Sequence, residues 1–245
     1  MTAKDFSASV TNPFRGAGVT YTEETASTME DARRLLLEGA PHGTVVVSDY
    51  QHQGQGRKAD RHWNAPPGEA LLFTLILRSD VPLTALSLRA GLAVARVLSS
   101  RHALEPRVKW PNDILLSDRK VCGVLCRQGA TWGLVGIGLN VNQSSFPSGL
   151  ESATSLYLER GVESDRAGLL ESLLGLLQEE TRTEEPIRGR LQEWLYGLGR
   201  EVEVLQDDGT ATRGRLQGLT DRGALIVDTS EGAEELHTGE LRVLG

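Results

Sequence analysis

Cysteine is almost missing from this 245-residue chain: Cys122 and Cys126 are its only two. Two thiols cannot build a disulfide framework, and they have no companions at the spacing of a zinc site. Four apart on a strand, they share a face as small apolar residues, which suits a reducing cytoplasm. Long apolar runs are missing too. None approaches the ~18–20 residues that a membrane span needs, and no basic segment with an apolar core marks a secretory signal. Basic excess is also lacking: 26 Lys and Arg against 33 Asp and Glu leave a formal charge of −7. A general nucleic-acid binder carries the opposite balance. With 39% hydrophobic and 24% charged residues, the chain has the material of a globular protein with room for one large domain and one small one.

Two stretches gather cations against that overall balance. Tyr50 to Trp63, YQHQGQGRKADRHW, follows a β-branched strand at Thr44–Ser48. It brings Arg57, Lys58 and Arg61 together against one acid, Asp60. Gly54 and Gly56 allow close backbone approach, and arginines clamp phosphate bidentately. The stretch is neither GxGxxG nor GxxxxGK[ST], so no Rossmann or P-loop reading follows. The second stretch is Arg107 to Leu125, RVKWPNDILLSDRKVCGVL. It reads as strands Arg107–Lys109 and Asp113–Leu116 around a Pro111-Asn112 corner, then a turn at Ser117-Asp118-Arg119 and a third strand from Lys120. Lys109 and Lys120 stand in an otherwise apolar run, where a buried ammonium is costly unless an anion meets it. Taken alone, one stretch reads equally as a solvated basic loop and the other as surface lysines beside a hairpin. The pair is more specific.

The rest of the chain supplies a scaffold. Residues 1–17 show no apolar period and read as a loosely packed arm. A strand at Val19–Tyr21 leads to a helix from Met29 to about Glu38, with Ser27 or Thr28 as cap and Glu30 and Asp31 at capping-box spacing. Glu69–Leu77, EALLFTLIL, is a strand buried on both faces. A helix spans Leu83–Leu104 with Pro82 before its start. Trp132–Val141 is a strand in which Gly136 and Gly138 mark close approach by a ligand or another backbone. Helices follow at Asp165–Glu180 and Ile187–Leu195. From Arg200 the period shortens to five strands, Glu201–Leu205, Thr212–Leu219, Ala224–Asp228, Glu234–Thr238 and Leu241–Leu244, the pattern of a small SH3-like barrel. This stretch is expected to fold as a compact module.

In this order GQGR…DRHW, KWPNDILL-SDRKVCGVL and GIGLNVN (Gly136–Asn142) resemble the biotin protein ligases. The resemblance covers roughly residues 18–160. It implies an α+β fold: a mixed sheet of the class II synthetase-like, biotin–lipoate ligase kind packed with helices, plus the C-terminal SH3-like β-barrel. Its divisions are an arm at 1–17, a biotin/ATP-binding catalytic domain at 18–199 and the barrel at 200–245. With so short an arm, a form without the N-terminal DNA-binding domain is expected.

The implied activity is ATP-dependent biotinylation of a lysine on the biotin carboxyl carrier protein of a carboxylase, through biotinyl-5′-AMP. Biotin and ATP are substrates, with Mg²⁺ accompanying the nucleotide. Lys120 matches the essential lysine; Arg57 and Lys109 complete the implied catalytic set. Biotin contacts fall to Ser27, Thr28, Met29, Gln51, Gly54, Gln55, Gly56, Arg57, Trp63, Lys120, Gly123, Leu125 and Gly138. Nucleotide contacts fall to Arg57, Arg61, Trp63, Lys109, Asn112, Lys120 and Asn140. Asn112 and Asp113 either hold the corner or organise Mg²⁺. The implied location is cytoplasmic, with no specific DNA and no membrane partner; a homodimer is left open.

Departures stand at Met29, where the family has Asn, at Gln55, where it has Arg, and at Arg127, in place of a glutamate; one residue is inserted before Asp60-Arg61. The basic loop is expected to be a lid ordered by ligand, and Gln55→Arg to tighten it. The competing readings are a lipoate or octanoate ligase of the same fold and a non-catalytic regulator that binds biotinyl-adenylate.

Overall fold

The computed structural model describes residues 3–58, 61–79 and 85–244. Asp60 and the Pro82 helix start lie outside these residues.

The EALLFTLIL run forms β3 (Ala70–Arg78), buried in all but its last residue. Only a strand covered on both faces accommodates such a run. It pairs antiparallel with β2 (Val45–Gln51) and with β7 (Trp132–Asn140). Beyond β2 lies β1 (Val19–Thr25), parallel to it, the crossover being made by α2 (Thr28–Leu37). Beyond β7 come β6 (Arg119–Gln128), β5 (Asp113–Leu116) and β4 (Arg107–Lys109), completing a seven-stranded sheet in the order β1-β2-β3-β7-β6-β5-β4.

Helices cover both faces. On one, α3 (Leu86–His102) and α5 (Arg166–Arg182) press Val94, Leu98, Leu170 and Leu173 onto Phe73, Leu75 and Leu77. On the other, Met29, Ala32 and Leu36 of α2 meet Val46, Ile76 and Leu134. Each buried Leu, Ile or Phe contributes about 1.5–3 kcal/mol of transfer free energy. On this second face Thr74 and Gly136, register partners on β3 and β7, lead past Met29 into a cavity.

The N-terminal arm is not loosely packed. Phe6 of α1 (Ala3–Ser9) and Phe14 beyond it are 2% and 1% exposed and belong to the main core. Gly43, at φ +89°, is where Phe14 lies: a Cβ there would sit 2.0 Å from the Phe14 Cβ. Phe6, Val10 and Phe14 recur every fourth residue, a signal spread too thinly over mixed structure to read as one helix. A short helix α4 (Leu156–Arg160), capped by the Ser155 hydroxyl, is likewise additional. The expected Ile187–Leu195 helix is α6 (Ile187–Leu191) running into a single 3₁₀ turn at Gln192–Trp194.

The C-terminal strands β8 (Glu201–Leu205), β9 (Ala211–Leu219), β10 (Leu225–Thr229), β11 (Gly232–Leu236) and β12 (Glu240–Val243) form an antiparallel sheet ordered β11-β10-β9-β8-β12. Strand β11 starts two residues before the expected Glu234, because Thr229 pairs with Gly232 across a two-residue turn. This SH3-like sheet shares its core with the larger one. Val202, Val204, Leu225 and Leu241 pack in one cluster with Leu88 and Leu92 of α3 and with Trp110. The Trp110 indole N–H donates to the Gly223 carbonyl at 3.0 Å.

Candidate active site

The site is built on the corner between β4 and β5. The Trp110-Pro111 peptide is cis. Asn112 ties the corner to β6: its side-chain amide donates to the Val124 carbonyl at 2.9 Å, and its own carbonyl accepts from Val124 N–H at 2.8 Å. The turn into β6 has Ser117 and Asp118 at φ 49° and 59°, the positive pair that a type I′ hairpin demands. That turn sets Lys120 beside Asp113, with 2.7 Å between ammonium and carboxylate. The Lys120 backbone is held as well, donating to Ser152 O at 2.7 Å and accepting from Thr154 N–H at 2.9 Å. Its ammonium also lies 5.6 Å from the centre of a Trp63 ring, within reach of a cation–π interaction.

The basic loop is a small hairpin. Gln55 bridges antiparallel to His62, Gly56 N–H donates to Arg61 O at 2.8 Å, and Trp63 N–H donates to Gly54 O at 2.9 Å. Its cations face the C-terminal sheet: Arg57 meets the Asp207 carboxylate at 3.3 Å and the Gly239 carbonyl at 3.0 Å. Lys58 and Arg61 both reach Glu240, at 3.3 and 3.1 Å. Burial alone would raise the Glu240 carboxyl, but Arg61, Lys58 and Lys109 outweigh it and hold the group below the usual carboxylate range.

At the buried end, the Gln51 side-chain oxygen accepts from Thr28 N–H at 2.8 Å and from the Thr28 hydroxyl at 3.0 Å; that hydroxyl also lies 2.9 Å from Thr74 Oγ1. Gln51 therefore caps α2. The expected cap from Ser27 or Thr28 is not made: neither hydroxyl bonds the helix start. Trp63 lies flat on the β6–β7 wall. A Cβ at Gly138 would come 2.6 Å from its indole, and one at Gly123 would come 3.0 Å from it. The buried indole N–H finds no acceptor among the described residues. Gly136 admits the Met29 methyl, 2.8 Å from where its Cβ would be. At both strand glycines the nearest approach is by a side chain. Burial raises both thiols of β6, Cys126 to about 12 and Cys122 further, so neither is poised as a nucleophile.

These elements enclose a cavity of about 650 Å³. Lining it are Ser27, Thr28, Met29, Gln51, Gln55, Gly56, Arg57, Arg61, Trp63, Lys109, Asn112, Lys120, Gly123, Leu125, Gly138 and Asn140. One expected residue is elsewhere: Gly54 does not line it. Its lack of a Cβ serves the loop, since a Cβ would stand 2.4 Å from the Trp63 carbonyl. The Asn140 amide is already engaged, donating to Thr154 O and accepting from Gln143, each at 2.9 Å. Sequence reasoning passed over Thr74 and Glu240, which also line the cavity. Thr74 had a signal, as the sole hydroxyl in EALLFTLIL; Glu240, some 180 residues from the loop it meets, had none.

The model of the Biotin/lipoate A/B protein ligase family matches residues 21–142, and that of the biotin protein ligase C-terminal domain matches 197–241. The bifunctional ligase/repressor BirA of Bacillus spizizenii is 32% identical over 93% of this chain and 74% of its own length. The chain belongs to the biotin protein ligase family. The biotin–[acetyl-CoA-carboxylase] ligase of Paracoccus denitrificans is 31% identical, over 89% of this chain and 97% of that one. In structure, the biotin protein ligase of Aquifex aeolicus in complex with biotin and ATP superposes with a TM-score of 0.81 at 31% identity, covering 92% of this chain and 98% of that one.

Proposed function

We propose that the chain is a biotin–carrier-protein ligase in which the buried end of the cavity takes biotin and the cation-lined end takes the nucleotide. The observation that carries this reading is the place of Lys120. Its ammonium, paired with Asp113 and beside the Trp63 ring, lines the same cavity as the amide and hydroxyls of Gln51, Thr28 and Thr74 and as the cations Lys109 and Arg57.

Biotin's carboxylate does not acylate amines at neutral pH. An oxygen of it attacks the α-phosphorus of ATP, the bond to pyrophosphate breaks, and biotinyl-5′-AMP forms. The acceptor lysine amine then attacks the acyl carbon and AMP leaves. Charge gathers on the phosphoryl oxygens in the first step, so fixed cations and correct positioning carry the catalysis. Lys120 offsets charge between carboxylate and α-phosphate, Arg57 and Lys109 hold the phosphates, and Trp63 offers its unpaired indole N–H and an apolar cover.

Among the described residues no group of three or more His, Cys, Asp or Glu could hold a metal. Asn112 holds the corner and Asp113 serves Lys120, so Mg²⁺ enters as the companion of the triphosphate. Residues 18–199 carry the chemistry, and 200–245 close the cavity through Glu240. The acceptor is a carboxylase's carrier domain and the location cytoplasmic. Among the described residues no helix is long and apolar enough to cross a membrane. A charge of −7 argues against operator DNA as a partner.

Mixing the protein with ATP and either biotin or lipoate tests the reading. Pyrophosphate release with biotin alone, then label on a single carrier-domain lysine, is the expected result. Release with lipoate instead, or with neither acid, overturns it.

A further inference from the structure

Two departures from the family's sequence pattern, Gln55 and Arg127, lie against each other. Arg127 stands on β6, outside the residues that line the cavity. Its Nη2 donates to the Gln55 side-chain oxygen at 2.6 Å, and its Nη1 donates to the Glu30 carboxylate at 2.7 Å. One planar guanidinium, with its donors in a fixed fork, thereby joins β6, the first turn of α2 and the basic loop. Gln55 is a useful point to hold. It lines the cavity, bridges to His62, and is followed at once by Gly56 and Arg57.

We infer that Arg127 is a positioning residue that latches the loop closed over the cavity and so sets how long an acyl-adenylate stays bound; this rests on the function proposed above. The loop has two sets of anchors. Arg57, Lys58 and Arg61 hold it to Asp207, Gly239 and Glu240. A nucleotide phosphate that recruits Arg57 competes with this first set. The Gln55–Arg127 bond is untouched by that competition and keeps the hairpin in place while the cation changes partner. Arg127 and Glu30 are 38% and 44% exposed, so their ion pair is weak on its own account. The loop holds little apolar area, however, and its opening balance is correspondingly easy to tip.

The latch reverses one expectation from the sequence. Gln55→Arg alone sets a second guanidinium against Arg127 and loosens the loop. Joined with Arg127→Glu it exchanges the two sides of the contact and restores the bond, with Glu30 still alongside.

The test uses the full chain loaded with biotin and ATP and cleared of excess. It reads pyrophosphate from the first turnover, escape of free biotinyl-adenylate, and tryptic cleavage after Arg57 or Lys58 without ligand. Arg127→Ala is expected to form the adenylate but lose it roughly five- to ten-fold faster, one ordinary hydrogen bond's worth, and Gln55→Ala and Gln55→Arg are expected to lose whatever adenylate they form faster by a similar factor. All three should also be cut faster. The double variant Gln55→Arg/Arg127→Glu is expected to return both rates to within about two-fold of the wild type, which a merely structural role for Arg127 does not produce. Gln55→Ala removes the bond from the loop side, so a misfolded Arg127→Ala does not shield the inference. Single variants that retain the adenylate as the wild type does, or a double variant no better than its parents, overturn it. A wild type that releases no pyrophosphate overturns the functional reading itself, and the latch with it.

Discussion

Lys120 and Asp113 are paired at 2.7 Å between the adjacent antiparallel strands β6 and β5. The carboxylate orients the ammonium toward the cavity without filling it, because the corner below is already tied down by Asn112 and Val124. Lys120→Ala is expected to fold normally and to lose adenylate formation. Asp113→Asn keeps the shape and removes the counter-charge that aims the ammonium. With a charge-assisted bond worth about 1.5–3 kcal/mol, it should slow the first turnover about ten- to hundred-fold. Single-turnover pyrophosphate release checks both; a normal rate in Lys120→Ala removes that lysine from the chemistry.

Gly138 faces the Trp63 indole, with room for a hydrogen but not a methyl group: a Cβ would lie 2.6 Å from the ring. Its φ is not positive, so Gly138→Ala strains no backbone and acts only by displacing Trp63. Biotin affinity should fall about ten-fold, on the scale of one displaced buried contact, with the unfolding midpoint nearly unchanged. Titration calorimetry with biotin and a urea melt give the two readings. Unaltered affinity would show that the indole does not cover the ligand.

Glu240 holds Lys58 and Arg61 of the loop, and its folded pKa lies below the ordinary carboxylate value near 4.5. A carboxylate depressed on folding contributes stability that is complete above its unfolded pKa and is lost as pH falls through the folded one. Loop docking should therefore be constant above about pH 5 and weaken as the pH drops below about 4.5. Glu240→Gln should remove that dependence and speed tryptic cleavage after Lys58 or Arg61 at neutral pH. A wild-type protein whose loop docking is flat down to pH 3 would contradict the assignment.

Trp110 joins the two sheets through the Gly223 carbonyl and a shared apolar cluster. Trp110→Phe leaves that buried carbonyl without its donor and should cost about 1–3 kcal/mol. Ending the chain at Gly199 uncovers Leu88, Leu92, Val108 and Trp110 together. Such a truncation should aggregate, and should not persist as an active catalytic domain. Denaturant melts and light scattering decide each case. A monodisperse, fully active truncation would show that the small sheet serves neither folding nor catalysis.

The residues by themselves determined what depends on near neighbours. Period-two and period-3.6 patterning placed the described strands of both sheets and the helices α2, α3 and α5, because alternation and amphipathicity are properties of consecutive residues. Lysines in an apolar run, and cations gathered against a net negative charge, marked Lys109, Lys120 and Arg57, since burying such groups without a purpose is costly. The tertiary structure alone decided what those side chains meet. Arg57 finds Asp207 and Gly239 across 150 and 182 positions, and Arg127 finds Gln55 across 72. Gly54 and Gly138 are glycines on account of Trp63, and Phe6 and Phe14 turn a seemingly loose arm into core. No local period encodes such meetings. They arise when packing the apolar faces of separate segments brings distant polar ends within bonding distance.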